Sequence, residues 1–179
     1  MPSIDELFES LEAQQANRSR PPVDQWHPDR TGSIDIRIAR DGTWYHEGSP
    51  FQRQALVMLF ASVLRKDPDG YFLVTPAERL KITVEDAPFV AVDLDVRGIG
   101  KGAELLFTTN MDDYVVADQD HPIRVAAEHD EPRPYVRVRG GMEALINRPV
   151  FYRLAELALQ EGDELVVYSR GARFPLGKV

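Results

Sequence analysis

The sequence predicts an α+β fold of two small packed domains that contain a repeated strand-turn-helix-strand motif. Three observations support this prediction. Apolar and polar residues alternate along much of the chain, two helix-like segments interrupt that alternation, and the same order of elements occurs twice. A period of two is typical of half-buried strands, whereas a period of 3.6 is typical of helices. In the middle of the chain we expect mainly antiparallel strands.

The chain divides into three predicted parts. Residues 1–22 form an N-terminal helix and its linker, residues 23–87 a first α+β unit, and residues 88–179 a β-rich middle followed by a second α+β unit. The N-terminal helix is predicted over 3–15, because its apolar residues fall on one face and a capping box begins at Ser3.

The first unit is expected to begin with a hairpin. Residues 34–38 alternate, and Asp41-Gly42 then precedes the apolar run 43–45. Asp-Gly between two strand-like runs is a strong signal for a type I′ turn, whose central residues need positive φ. A helix is expected over 51–64, and since 55–61 contains no polar residue, we expect this helix to be buried on more than one side.

Short strands are predicted after this helix and throughout the middle of the chain. Their ranges are 71–74, 80–84, 90–96, 105–108, 114–117 and 123–126. The segment 128–134 is charged and contains proline. We interpret this segment as a break and as a candidate domain boundary.

The repeat is seen when the chain is compared with itself at an offset of 100 residues. A strand over 135–139, a Gly-Gly turn, a helix over 150–160 and a strand over 165–168 follow in the order predicted for the first unit. Five residues within 36–59 are identical to their counterparts at this offset: Arg37, Phe51, Arg53, Ala55 and Leu59. Repeated units must bury faces against each other, which favours a duplicated architecture.

Composition excludes several classes of function. Cysteine is absent, which excludes disulfides, thiol catalysis and Cys-ligated zinc. No run of residues approaches the roughly 20 apolar residues of a membrane helix, and the N-terminus lacks the basic start of a secretory signal. We therefore expect a cytoplasmic protein that does not bind membranes.

The formal net charge of −8 is concentrated in one region. Residues 85–130 carry three basic and eleven acidic side chains, whereas residues 131–179 carry eight basic and six acidic ones. Binding to nucleic acid depends on Lys and Arg contacts with phosphate, so nucleic acid is disfavoured as a partner. A small anion near the C-terminal arginines is still compatible with this distribution.

Known catalytic motifs are absent. Residues 98–102 (GIGKG) resemble a fragment of a phosphate loop, but Ala103 replaces the required hydroxyl residue and predicted strands flank the site. There is no Gly-x-Ser-x-Gly elbow and no His-Glu-x-x-His, and no two of the four histidines have a metal-ligand spacing. We assign no catalytic residue, no metal and no cofactor.

A dense polar cluster occupies residues 108–121, where two loops flank a short predicted strand. Carboxylate and amide oxygens are ligands for Ca²⁺ or Mg²⁺, but the EF-hand order does not occur. Asn and Asp also hydrogen-bond their own backbone in turns. We favour this turn-capping interpretation, and a metal site or another ligand site remains an alternative.

Arg37 and Arg137 occupy the same place in the two copies of the repeat. If the copies pack as a pseudo-symmetric pair, both guanidinium groups would face a shared cleft, where they suit carboxylate or phosphate. Each could also lie on the solvated face of a strand. The candidate ligand-binding residues are Arg37, Trp44, Thr75, Glu85, Asp86, Asn110, Asp112, His121 and Arg137.

Several motifs together resemble an uncharacterised bacterial family, domain of unknown function 1285, from about residue 26 to residue 177. They are RDGTW at 40–44, DG at 69–70, FLVTP at 72–76, ITVEDAPF at 82–89, FTTN at 107–110, Asp112, HP at 121–122 and FPLG at 174–177. One small departure is Phe51 after Pro50, where an aliphatic residue is expected.

The resemblance implies a two-domain arrangement with repeated motifs, a C-terminal part loosely similar to pleckstrin-homology-like folds, a binding cleft between the domains and a link to signalling. It implies no activity and no catalytic residue. We therefore expect a non-enzymatic module that binds a small anionic ligand or a peptide in that cleft.

Two alternatives stay open. One is a structural, partner-binding protein that forms a homodimer through its N-terminal helix. The other is a metal-dependent hydrolase that uses Asn110, Asp112, Asp118, Asp120 and His121.

Overall fold

The structure is a computed structural model that describes residues 20–179 together with Glu9. The helix predicted over 3–15 therefore lies outside the described residues. The described part of the chain is mostly β, with fifteen strands, two α-helices and two 3-10 turns. Strand content is thus higher than the expected α+β class implies. No helix among the described residues is long and apolar enough to cross a membrane.

The described chain divides into two compact units. The first unit contains residues 20–88 together with Gly140–Met142. The second unit contains Phe89–Arg139 and Glu143–Val179.

The first unit is built on a six-stranded sheet in the order β3-β2-β1-β6-β5-β4. Its elements are β1 (Arg30–Ile38), β2 (Trp44–His46), β3 (Ser49–Pro50), α1 (Gln54–Ser62), β4 (Leu64–Asp67), β5 (Gly70–Val74) and β6 (Glu78–Val84). The predicted hairpin is present, but its turn is not type I′, because only Gly42 has positive φ. The N–H of Gly42 donates to the carbonyl of Ala39 and closes the turn.

The second unit contains a six-stranded sheet in the order β10-β11-β12-β7-β8-β9 and a three-stranded antiparallel sheet, β13-β14-β15. Its elements are β7 (Phe89–Arg97), β8 (Glu104–Thr109), β9 (Tyr114–Val116), β10 (Ile123–Glu128), β11 (Glu131–Arg139), β12 (Met142–Ile146), α2 (Arg148–Glu156), β13 (Leu159–Glu161), β14 (Glu164–Ser169) and β15 (Ala172–Lys178).

The two six-stranded sheets share one topology. In each, two three-stranded antiparallel meanders are joined by a parallel pair between the first and last strand of the set. Ile38 of β1 pairs with Val84 of β6, and Ala91 of β7 pairs with Ile146 of β12. The duplication visible in the structure therefore relates β1–β6 to β7–β12.

The repeat predicted at an offset of 100 residues is only partly correct. Strand, turn, helix and strand do follow one another in both predicted places. However, α1 and α2 do not coincide at that offset, since Phe51 precedes α1 whereas Phe151 lies inside α2. The identities Phe51, Arg53, Ala55 and Leu59 therefore do not mark equivalent positions in the two helices.

Helix α1 is less buried than its apolar sequence predicts. Among its residues only Val57 and Ala61 are buried, and Leu59 is 60% exposed. The prediction that this helix is buried on more than one side is wrong. At nine residues the helix is also shorter than expected, and it buries a single narrow stripe.

The charged segment 128–134 is not a break. It forms the turn and the first half of β11 in a hairpin with β10, in which Val125 pairs with Pro134 and Ala127 pairs with Pro132. Both turn residues, His129 and Asp130, have positive φ. Proline lacks an N–H donor and is tolerated in a strand where that donor would not face the partner strand.

The Arg65 side chain connects the start of the first unit to β4 through hydrogen bonds. It donates to both carboxylate oxygens of Asp67, at 2.8 and 3.0 Å, and to the carbonyls of Val23 and Trp26, both at 2.7 Å. Arg79 donates to the same Asp67 carboxylate at 2.8 Å. The mostly buried side chains of Arg65 and Asp67 thus take part in five charge-assisted hydrogen bonds.

The Asp67 carboxylate is expected to make stability acid-sensitive. Hydrogen bonds from Arg65 hold its pKa below the usual value, burial opposes this effect, and Arg79 adds to it. A carboxyl with a lowered pKa in the folded state stabilises the fold above its unfolded pKa of about 3.9, and this contribution is lost as the pH falls further. Urea unfolding at pH 7, 5, 4 and 3 should show Asp67→Asn less stable at pH 7 but with a flatter acid dependence. An equally steep loss in the variant would contradict this assignment.

Candidate functional site

Two of the predicted site residues of the first unit are brought together. Arg37 and Glu85 form an ion pair with 2.5 Å between Nη1 and Oε1, and Arg37 also lies over the ring of Tyr45 at 4.2 Å. The second carboxylate oxygen of Glu85 accepts from the Arg40 N–H at 3.2 Å. Arg37 is therefore already engaged by an anion and an aromatic ring of its own unit.

The other predicted residues of the first unit have local roles. Trp44 is 3% exposed and packs edge-on against Phe51. The Thr75 hydroxyl accepts from the N–H groups of residues 77 and 78 and so closes the turn before β6. Asp86 lies in the bend between β6 and Pro88.

In the second unit, Asn110 and Asp112 lie in one tight turn between β8 and β9. The buried Thr109 hydroxyl accepts from the N–H groups of Met111 and Asp113, at 3.2 and 3.1 Å. The Asn110 side-chain oxygen accepts from the Val90 N–H at 3.0 Å. Asp112 is exposed and has a φ of 58°. The Thr109 and Asn110 side chains thus hold the backbone, as the turn-capping interpretation predicts.

His121 lies in the following loop, where its Nδ1 is 3.0 Å from Asp118 Oδ1. The same oxygen accepts from the N–H groups of Asp120 and His121. Burial alone would raise the pKa of Asp118, but the hydrogen bonds from His121 lower it overall. Among the described residues, no three His, Asp or Glu side chains are arranged to hold a metal ion.

Arg137 is exposed on β11, where its N–H donates to the Pro122 carbonyl. Its side chain forms no hydrogen bond or ion pair within residues 20–179. None of the nine predicted residues lines the groove described next.

A groove in the second unit has a volume of about 490 Å³. We call it the Arg148 groove. It is lined by residues 131–134, residues 145–148, Phe151 and Tyr152. A smaller cavity of about 220 Å³ lies beside residues 98–100 and has no charged side chain in its lining, so the groove is the stronger candidate site.

Arg148 supplies the available positive charge of this groove. It is exposed and forms no hydrogen bond or ion pair with any described residue. By contrast, Arg133 is held by Glu128 at 3.2 Å and by the Tyr135 hydroxyl at 3.2 Å. Glu131 also lines the groove and is exposed. The lining of the groove therefore carries both a guanidinium and a carboxylate.

The N-terminus of α2 adds little to anion binding here. Asn147 caps the helix and accepts the Val150 N–H on its side chain at 3.1 Å, while its carbonyl accepts the Phe151 N–H. Pro149 has no N–H. Most donors that a helix N-terminus usually offers are thus already used or missing, and Arg148 itself carries the attraction for an anion.

Sequence reasoning missed the residues of this groove because they come from segments that it assigned to other roles. Residues 131–134 were expected to be a break, and Arg148 precedes a helix without any motif around it. The one available signal was the alternation of proline at 132 and 134 within a strand-like run.

The structure is that of a mostly β protein of two units, each built on a six-stranded sheet, with an open groove in the second unit. The chain belongs to the DUF1285 family. The model of its N-terminal domain, a domain of unknown function, matches residues 21–87, and the model of its C-terminal domain matches residues 88–176. The family resemblance drawn from the motifs is confirmed.

Two solved structures of the family are similar to this chain. A DUF1285 family protein from Silicibacter pomeroyi DSS-3 shares 45% sequence identity, with a TM-score of 0.87, over 100% of this chain and 97% of that chain. A DUF1285 family protein from Shewanella baltica OS155 shares 25% identity, with a TM-score of 0.52, over 68% of this chain and 90% of that chain. No curated protein matches this chain.

Proposed function

We propose that this protein is a binding module and that its ligand carries a carboxylate group, which Arg148 holds in the Arg148 groove. The observation that carries the proposal is an exposed guanidinium with no partner among the described residues, placed in a groove of about 490 Å³. Guanidinium groups bind carboxylates through paired, charge-assisted hydrogen bonds.

The rest of the groove suits a ligand with an apolar part. Phe151 and Tyr152 follow Arg148 on the first turns of α2, and Tyr152 is 59% exposed. Ligand sites commonly combine apolar and aromatic walls with a few polar groups that fix orientation. The family resemblance further suggests a role in bacterial signalling and a pleckstrin-homology-like C-terminal part; both stay predictions, as does a ligand cleft between the repeated units.

The proposal can be tested by NMR titration of the ¹⁵N-labelled full chain with glutarate, a simple dicarboxylate. We expect shifts at the amides of residues 131, 133, 147, 148 and 150–152, and about tenfold weaker binding by Arg148→Ala. Arg53→Ala is the matched control, because Arg53 is also exposed and without a partner among the described residues. Equal loss in both variants, or shifts confined to residues outside the groove, would refute the assignment.

A further inference from the structure

We propose that the ligand of the Arg148 groove is an acidic, proline-containing peptide bound in the polyproline II conformation. This inference rests on the proposed function, since it assigns the carboxylate at Arg148 to a peptide side chain. Four features of the groove support it: a strand edge without donors, donors on side chains, aromatic and proline residues in the lining, and an exposed guanidinium that suits an acidic residue.

One wall of the groove is a strand edge that no described strand covers. Strand β12 has five residues and leads back from the turn at 140–141, whereas β11 has nine. Because β12 is shorter, it runs beside only the part of β11 nearest the turn. Residues 131–134 of β11 therefore have β10 on one side and the groove on the other.

This edge offers acceptors but no donors. The Arg137 N–H donates to Pro122 of the chain entering β10, so the odd-numbered residues of β11 point their backbone groups toward β10. Successive residues of a strand point these groups to opposite sides, so residues 132 and 134 face the groove. Both are proline and lack an N–H.

A peptide that added to this edge as a β-strand would find only half of a hydrogen-bond ladder. Its N–H groups could pair with the carbonyls of Pro132 and Pro134, but its own carbonyls would receive no backbone donor in return. Proline on an exposed edge is a known means of preventing strand addition. This strand edge therefore disfavours a ligand that binds as an added β-strand.

Donors in the groove come from side chains instead. The Asn147 amide uses its oxygen for the helix cap, which leaves its NH₂ group available. Arg148 and the Tyr152 hydroxyl also form no hydrogen bond with a described residue. A polyproline II peptide has no internal hydrogen bonds and exposes its carbonyls, so it needs donors of this kind.

The apolar surfaces fit the same ligand. Phe151 and Tyr152 line the same groove as Pro132 and Pro134. Grooves lined by aromatic side chains bind polyproline II segments because these are already extended and lose little conformational entropy on binding. The charges of the lining favour an acidic ligand residue near Arg148 and disfavour one near Glu131.

Three probes separate this ligand from its alternatives in isothermal titration calorimetry of the full chain. They are a blocked six-residue peptide of alternating proline and glutamate, the same peptide with valine in place of proline, and glutarate. We expect the proline peptide to bind at least about tenfold more tightly than the other two, on the basis of its preformed conformation. Arg148→Ala should weaken it about tenfold, whereas Glu131→Gln should leave it unchanged or tighter.

A second variant tests the strand edge itself. The double substitution Pro132→Ala and Pro134→Ala restores two N–H groups, so the valine peptide should gain affinity relative to the proline peptide. Circular dichroism and the Tm would verify that this variant is folded. If it is not, the comparison of the peptides on the wild-type chain decides alone.

The outcomes distinguish this inference from the proposed function. If the valine peptide binds as tightly as the proline peptide, the polyproline II assignment is wrong although the carboxylate site stands. If glutarate binds as tightly as the proline peptide, the ligand is a small carboxylate and the peptide inference is overturned. If none binds, or if Arg148→Ala changes nothing, the proposed function fails as well.

Discussion

Replacing Arg65 by alanine is expected to lower the free energy of unfolding by about 2–4 kcal/mol, the range for removing one partner of a largely buried, hydrogen-bonded ion pair. The side chain is only 14% exposed and donates four hydrogen bonds. Its loss leaves the carbonyls of Val23 and Trp26 without these donors and leaves Asp67 with Arg79 alone. Chemical denaturation should show the change, together with a Tm lower by roughly 5–10 °C.

Two control variants make this result specific. Arg65→Lys keeps the charge but cannot reproduce the planar fork of donors, so it should lie between wild type and Arg65→Ala. Arg53→Ala removes an exposed arginine and should change stability by no more than about 0.5 kcal/mol. If Arg65→Lys were as stable as wild type, the hydrogen bonds to Val23 and Trp26 would make no measurable contribution to the free energy of unfolding.

Replacing Thr109 by valine is expected to cost about 2–3 kcal/mol, although the two side chains have nearly the same shape. The hydroxyl is the acceptor for the Met111 and Asp113 N–H groups, and Thr109 is 1% exposed. Valine fills the space but leaves two buried donors without this acceptor. The measurement is urea unfolding, combined with hydrogen exchange of the two amides, which should speed up.

Thr109→Ser is the matched control, because it keeps the hydroxyl and removes only a methyl group. Its cost should be clearly smaller than that of Thr109→Val. A larger cost for serine would show that the methyl packing, and not the hydroxyl, holds the turn between β8 and β9.

The strands were predictable because alternation of apolar and polar residues reports directly on burial of one face. Residues 34–38 and 90–96 were placed correctly for this reason, with boundaries that differ by a few residues. Burial of α1 was not predictable, since an apolar sequence does not reveal how many sides of a helix find a partner. The hairpin through 131–134 was missed because proline is unfavourable only when its missing donor faces a neighbouring strand, and that depends on register.

The candidate site could not be predicted from the sequence for a related reason. Asn110, Asp112 and His121 were noticed because polar residues cluster there. In the structure the Asn110 oxygen accepts from the Val90 N–H, and the Asp118 carboxylate holds the turn that contains His121. Arg148 is an ordinary surface arginine in sequence. Its significance arises only when β11 and the start of α2 come together, and no local pattern encodes that contact.

The parallel strand pair at the centre of each six-stranded sheet has a consequence for the order of folding. Each flanking meander consists of strands close in sequence, and such hairpins form within microseconds. The central pairs join Arg30 to Glu78 and Phe89 to Ala144. Much longer loops must therefore close, at a cost in conformational entropy, before the contacts of these pairs can form. Each sheet should therefore assemble from two preformed three-stranded halves. The central parallel pair forms last, and its formation, rather than that of the outer hairpins, limits the folding rate.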